Sequence, residues 1–187
     1  MTSTTAQTFV GDLALRHLDA AYNLGRWLLG NEHDAADAVH DAYLRAARSA
    51  DTYAGGNARA WWLAIVRNCC LARIGARGKD QRNIPIDLDP DAAEHYLPHS
   101  EASEIEDRVE NAQRQNLIAR QLQNLPTEFR DVLILREIEE LSYREIADVL
   151  QTPIGTVMSR LARGRAMLQK ALAAHAVRPE PESTHGL

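Results

Sequence analysis

The 187 residues include only two cysteines, Cys69 and Cys70, and these are neighbours. An adjacent pair makes neither a disulfide framework nor a spaced metal knuckle, so it reads as a buried pair within a helix. No apolar run approaches the roughly 18 residues that a bilayer span needs. The opening MTSTTAQTFV also lacks the basic flank and apolar stretch of a secretion signal, so the chain is expected in the cytoplasm, without membrane insertion. There is no phosphate-cradling glycine loop, no nucleophile elbow and no carboxylate pair in an apolar context, which removes the common routes to catalysis. No enzymatic activity and no cofactor are expected. Acid is missing from two places as well. From 58 to 79 the charged residues are Arg59, Arg67, Arg73, Arg77 and Lys79, and from 151 to 178 they are Arg160, Arg163, Arg165, Lys170 and Arg178.

The net charge of −5 taken alone argues against a nucleic-acid partner, but the distribution reverses that argument. Between the two basic stretches lie Asp87, Asp89, Asp91, Glu94, Glu101, Glu104, Glu106 and Asp107. Two basic modules separated by an acidic connector point to polyanion contacts at two places. The connector could also discourage the chain from binding DNA indiscriminately on its own, since non-specific binding grows with each neutralised phosphate.

Apolar spacing agrees with an all-α chain of two small helical domains joined by a flexible acidic linker. Phe9, Leu13, Leu18, Ala21, Leu24 and Leu28 keep helical spacing until Gly30 and Asn31. A second helix opens near Asp34 and buries Ala35, Ala38, Val39, Ala42, Tyr43 and Ala46. A third starts near Ala58 and carries Trp61, Trp62, Ile65, Val66, Cys69 and Ile74 to the glycines at 75 and 78. The two tryptophans are ambiguous between core and base stacking, with core favoured for both. Periodicity then stops in a stretch with three prolines, read as a linker over 80–104. Helices resume near 105–125, 126–137, 142–150 and 153–174, giving domains at 9–79 and 105–174 and a disordered tail at 175–187.

In the second domain, SYREIADVLQTPIGTVMSRLARGR has a capping box at Ser142 and Glu145, and a second helix start at Thr152 and Pro153. Ile154, Val157, Leu161, Leu168 and Leu172 should face the core, leaving Thr156, Ser159, Arg160 and Arg163 outward. Two helices with a short break match a helix-turn-helix whose second helix enters the major groove. Arginine suits that task because its fork binds guanine or phosphate at two points. An ordinary helical hairpin with a solvated basic face fits the same pattern.

These residues resemble a family. LPTEFRDVLILREIEELSYREIADVLQTPIGTVMSRLARGRAML is similar to region 4 of bacterial RNA polymerase sigma factors. GRWLLGNEHDAADAVHDAYLRAARSADTYAGGNARAWWLAIVRNCCLARIGARGK is similar to their region 2. Two regions and a short linker resemble the extracytoplasmic-function group of the sigma-70 family. The resemblance implies an alternative sigma factor that binds core RNA polymerase and directs promoter-specific initiation. Region 2 would bind the clamp helices of the beta-prime subunit through Asp34, Asp37, His40, Asp41, Leu44 and Arg45. It would also melt the minus-ten element, with Asp51, Thr52, Tyr53 and Asn57 in a base-capturing loop and Asn68 facing the non-template strand. Arg59, Arg67, Arg73 and Arg77 would neutralise phosphates. Region 4 would bind the beta flap and read the minus-thirty-five element through Thr152, Gly155, Thr156, Met158, Ser159, Arg160 and Arg163. The group is commonly held silent by an anti-sigma factor, which is therefore an expected partner.

Departures from the family pattern limit what carries over. His40 stands where the family usually has glutamine. Gln151 takes a turn position often held by glycine, where positive φ costs a side chain about 1 kcal/mol. Met158 replaces a common lysine or arginine, and so either touches a thymine methyl or packs internally. A metal site on His33, Asp37 and His40 is the sharper rival for that helix, though one helix offers few ligands and none is expected. The rival for the whole chain is a stand-alone helix-turn-helix regulator with 9–79 as a dimerisation or sensing domain.

Overall fold

A break at His17 divides the first apolar stretch in two. Leu13 and Leu18 are five residues apart, one too many for a continuous helical face. The chain resets at His17, with φ −120° and ψ 28°, between α1 (Ser3–Arg16) and α2 (Leu18–Leu29). Leu18, expected in the core, is in consequence 45% exposed. The computed structural model describes residues 3–80 and 105–176, and the side chains of 7–76 and 114–175. The expected linker and tail lie outside the described residues, apart from their boundary positions.

Gly30 closes α2 in the left-handed region, φ 81°, with its N–H on the Arg26 carbonyl. Asn31 then caps α3 (Glu32–Arg48), its side chain accepting from the Asp34 N–H at 2.8 Å. The start is thus two residues ahead of the expected one. Gly25 lets α2 and α3 touch, because a Cβ there would lie 3.2 Å from Ala35. A single 3-10 turn (Ala50–Thr52) leads into the loop before α4 (Ala58–Asp80), which runs through both glycines expected to end it. Asn57 caps α4 by accepting from the Ala60 N–H at 3.0 Å.

The second half begins with α5 (Ile105–Asn124) and α6 (Thr127–Leu133), and α6 runs on into one π-helical turn, Ile134–Ile138. The wider turn brings the Glu139 N–H onto the Ile134 carbonyl at 3.1 Å, and Glu140 takes φ 53° to leave it. The short α7 (Tyr143–Leu150) and long α8 (Ile154–Ala176) follow. Gly164 lets α8 settle onto α6, since a Cβ there would stand 3.2 Å from the Leu133 side chain.

The two halves pack face to face around one continuous core. Leu24, Leu28, Trp62, Leu63 and Val66 from the first half join Ile134, Leu135, Leu141, Ile146 and Leu161 from the second, all essentially unexposed. Helix α4 lies along α7, while α2 meets α5 and α6. Of the two tryptophans, Trp62 is fully buried and Trp61 is half-buried. Tyr43, expected in the core, is 38% exposed because the partner surface beside α3 is an open apolar groove lined by Leu15, Leu18, Tyr22 and Trp62. Ile154, also expected inward, is 48% exposed at the first residue of α8.

Cys69 and Cys70 are both buried. Burial raises both thiols, and pushes Cys70 up to about 12, so almost no reactive thiolate exists near neutral pH. Cys70 should resist a thiol-specific chromogenic reagent at mildly alkaline pH until denaturant unfolds the chain, as titration with and without urea would show. Rapid native reaction would contradict the packing of α4.

Candidate functional site

Three surfaces hold the residues singled out from the sequence. The first is the outer side of α3. Asp37, His40, Leu44 and Arg45 are exposed there, with Leu44 39% accessible. Asp41 is half-buried, and it and Asp37 receive the Arg73 guanidinium from α4 at 2.7 and 3.5 Å. Asp34 stands apart from the others because it is built into the α3 cap, bonded to the Asn31 side chain through both its N–H and its carboxylate. Among the described residues no group of three histidines, cysteines or acids is placed to hold a metal, and His33 and His40 stand exposed on α3.

The second surface is the loop at 51–57 with the start of α4. Tyr53 stacks on Phe9, ring centroids 5.2 Å apart, and leans on Trp61 at 5.5 Å. Its hydroxyl donates to the Gly56 carbonyl at 2.7 Å, which folds the loop back on itself. Gly55 and Gly56 both sit near φ 93°, a conformation that suits glycine alone. Asp51 and Thr52 are exposed at the start of the loop, and Asn68 is exposed on α4.

Of the α4 arginines expected to neutralise phosphates, Arg59, Arg67 and Arg73 are engaged by acids of the chain itself. Arg67 donates from Nε to Asp131 Oδ2 at 2.6 Å, and Asp131 is fully buried. Arg59 reaches both the backbone carbonyl and the carboxylate of Glu139, at 3.2 and 3.3 Å. Asn57 donates to Glu145 Oε1 at 3.1 Å. Arg73 is engaged by Asp37 and Asp41, and the Arg77 side chain lies outside the described residues. Local spacing could not reveal the links of Arg67, Arg59 and Asn57, because each acid lies some 60 to 90 positions along the chain from its partner.

The third surface is the turn between α7 and α8. Ser142 and Glu145 form the reciprocal capping box. Gln151 takes φ 49°, so the side chain tolerates the left-handed turn position that glycine would otherwise fill. On α8, Gly155, Met158, Ser159 and Arg163 are exposed, whereas Thr156 and Arg160, and Thr152 in the turn before the helix, are half-buried. Met158, at 53% exposure, does not pack internally. Arg160 pairs with Glu128 at 3.6 Å and Arg165 with Glu137 at 2.6 Å. Val157 and Leu161 face inward, fully buried.

The buried acids carry a pH signature. Burial holds Asp131 above the ordinary carboxylate value, against the pull of Arg67, and does the same to Glu139 against the Asn23 side chain and Arg59. A raised native value means that the folded chain binds the proton more readily than the unfolded one. The stabilising contribution is therefore fully present below the unfolded values of 3.8 and 4.5, and is lost as pH rises through the native values. Glu145 is opposite in sign: hydrogen bonds from the Ser142 N–H and hydroxyl lower it, so its contribution is lost as pH falls through its native value. The thermal midpoint of Glu139→Gln should accordingly depend less steeply on pH than that of the unmodified chain between mildly acidic and neutral pH. Parallel profiles would refute this assignment.

Residues 13–79 match the family pattern described as Sigma-70 region 2, and residues 115–168 match Sigma-70, region 4. The chain is 36% identical over 165 residues to the ECF RNA polymerase sigma factor SigE of Mycolicibacterium smegmatis, covering 88% of this chain but 62% of that protein. It is 32% identical over 171 residues to the ECF RNA polymerase sigma factor SigW of Bacillus subtilis, covering 89% of this chain and 90% of that one. Among solved structures, the sigma factor RpoE of Bartonella quintana, crystallised with the anti-sigma factor NepR, shares the fold at a TM-score of 0.63 and 24% identity, over 86% of this chain and 94% of that one. Two regional patterns in order along one polypeptide, and relatives matched over most of its length, place the chain in the sigma-70 family of RNA polymerase sigma factors, within its extracytoplasmic-function group.

Proposed function

We propose that the protein is an alternative sigma factor that docks on core RNA polymerase and selects promoters by contacts at two elements. The observation that carries this reading is the pairing of an exposed α8 start, bearing Ser159 and Arg163, with a glycine-hinged loop at 51–57 on the opposite half of the same chain. A helix-turn-helix alone would serve any DNA-binding regulator. The second half-site and the α3 face call for polymerase.

In this reading Asp37, His40, Asp41, Leu44 and Arg45 meet the clamp helices of the beta-prime subunit, with Asp34 shaping the start of their helix. Asp51, Thr52, Tyr53 and Asn57 form the loop that receives an unstacked minus-ten base. The aromatic backing of Phe9 and Trp61 holds that loop in shape. Arg59, Arg67, Arg73, Arg77 and Asn68 track the strand. Thr152, Gly155, Thr156, Met158, Ser159, Arg160 and Arg163 read the minus-thirty-five element, while the rest of the second half meets the beta flap. The protein works in the cytoplasm, performs no chemistry itself, and is a target for an anti-sigma factor of the kind that the Bartonella RpoE structure contains.

The test is multi-round transcription on fragmented genomic DNA by sigma-free core polymerase, with and without the protein, mapping RNA starts. Discrete new starts sharing two upstream motifs are expected. Absence of starts with an active core, together with direct binding of a palindromic site, would favour the stand-alone regulator.

A further inference from the structure

We propose that Arg73 serves the polymerase-docking face as a positioning residue: from α4 it clamps Asp37 and Asp41 of α3 and so fixes the carboxylates that meet the partner's cations. The proposal rests on the sigma-factor reading above and refines it at one residue, moving Arg73 from the strand-tracking set to the α3 face. Its basis is where the guanidinium goes. One nitrogen of Arg73 donates to Asp41 Oδ2 at 2.7 Å, and the other makes a longer contact with Asp37 Oδ2 at 3.5 Å. The fork therefore spans two carboxylates, one nitrogen to each, a geometry that the compact ammonium of a lysine matches poorly. The Arg73 Nε is buried without a hydrogen-bond partner, so the stem is sunk between the helices and only its tip reaches the acids.

Position on α4 separates Arg73 from the helix residue assigned to the strand. Asn68 lies five residues earlier, and at roughly 100° per residue the two point about 140° apart around the helix. Asn68 is exposed there, whereas Arg73 is half-buried against α3. Beyond burial, the charges that bear on the Cys69 thiol are those of Arg45, Asp41 and Arg73. These three charges thus gather at one place along the packed α3 and α4, beside the docking face.

Asp37 and Asp41 are like charges one helical turn apart, a spacing at which they repel. The shared guanidinium removes that repulsion and holds both carboxylates at one edge of the face. Each is engaged through Oδ2, and the two side chains stay 50% and 46% exposed, so the other oxygens are left to accept from a second cation. His40 and Leu44 stand exposed on the same side of α3. The partner that fits is a polymerase surface with a guanidinium or ammonium for the aspartates and an apolar side chain for Leu44. Carboxylates already ordered lose less rotamer freedom on docking, which is how preorganisation raises affinity. Ion pairs this exposed add little to folding, so the effect of Arg73 falls on docking and not on stability.

The test uses the full chain with Arg73→Met, which keeps the stem and donates nothing. Its affinity for sigma-free core polymerase, titrated onto immobilised core, should fall about tenfold, the scale expected when two side chains must be ordered on docking. The urea midpoint of the free protein should not move. Arg73→Lys keeps the charge without the fork and should recover part of the loss, and it takes the place of Arg73→Met if that variant is unstable. In an Asp41→Asn background the Arg73 substitution should cost much less than in the unmodified chain, because the two residues act together. Fully additive losses would overturn the proposal, as would docking as tight as or tighter than that of the unmodified chain. Holoenzyme assembled at saturating protein should bind promoter DNA with unchanged salt dependence. A slope of log K against log salt lower by about one, the mark of one lost phosphate contact, would return Arg73 to the strand and overturn the proposal. Failure of the unmodified protein to dock on an active core sinks the sigma reading and the proposal together. Normal docking by the unmodified chain with no loss in the variant sinks the proposal alone.

Discussion

Arg130→Met should lower the free energy of unfolding by about 3–5 kcal/mol, read as a shifted urea midpoint at constant pH. Arg130 is only 9% exposed, and its guanidinium is shared among four acceptors. One nitrogen donates to the Leu28 carbonyl and to Gln123 Oε1, both at 2.9 Å, and the other donates to the carbonyls of Gln123 and Leu125 at 2.6 and 3.1 Å. Methionine keeps much of the stem's packing but donates nothing, so these acceptors lose their partner in a buried corner, each at a cost of about 1–3 kcal/mol where water cannot replace it. Part of that cost is offset, because burial already disfavours the arginine charge and lowers its proton affinity. The Leu28 carbonyl belongs to α2 and the others to the α5–α6 corner, so the same guanidinium ties the halves together. Gln123 reinforces it by donating to the Trp27 carbonyl. A loss below about 1 kcal/mol would show that the corner relaxes and that its hydrogen bonds are replaced.

Arg130 marks where sequence reading stops. Periodicity sends charged residues outward, and nothing in PTEFRDVLIL distinguishes an arginine that caps carbonyls inside the protein from one that faces water. Asp131 did leave a trace. It lies four residues before Leu135, on the stripe that turns inward, and an acid on such a stripe implies a buried partner. That the partner is Arg67 depends on how the halves dock, which spacing along either half does not encode. The break at His17 was visible as a five-residue step between leucines, whereas the π turn at 134–138 has no comparable signal.

Local chemistry was legible wherever it is self-contained. The Ser142 and Glu145 capping box, the second start at Thr152 and Pro153, and the inward Val157 and Leu161 all depend on neighbours a turn away. So does the positive φ at Gln151, since the turn geometry demands it whichever residue stands there. The arginines of α4 were legible as a basic stretch without acids, but not the acids that Arg59 and Arg67 meet in the fold. Those two acids, Glu139 and Asp131, come from the other half of the chain, whereas Arg73 meets Asp37 and Asp41 of α3 in its own half.

Replacing Arg163 with alanine should reduce core-dependent transcription about ten- to hundredfold on promoters that carry a minus-thirty-five element, the loss expected for one two-point contact to a base. Arg163 is singled out among the α8 arginines by its freedom. Arg160 is held by Glu128 and Arg165 by Glu137, but Arg163 is exposed, and among the described residues it has no acidic partner. Its removal should therefore leave stability within about 0.5 kcal/mol, so lost transcription cannot be charged to unfolding. Arg163→Lys separates two roles. Lysine still neutralises a phosphate but cannot form the planar fork, so base reading would be lost with the lysine and phosphate contact largely kept. Met158, exposed five residues earlier, has no charge to offer and can read only apolar features, of which the thymine methyl is the one the major groove presents. Met158→Ala should relax preference at one minus-thirty-five position with little change in affinity elsewhere. If neither substitution alters promoter choice while the protein still binds core polymerase, Arg163 and Met158 do not read the element, and the assignment of the α8 start to it fails.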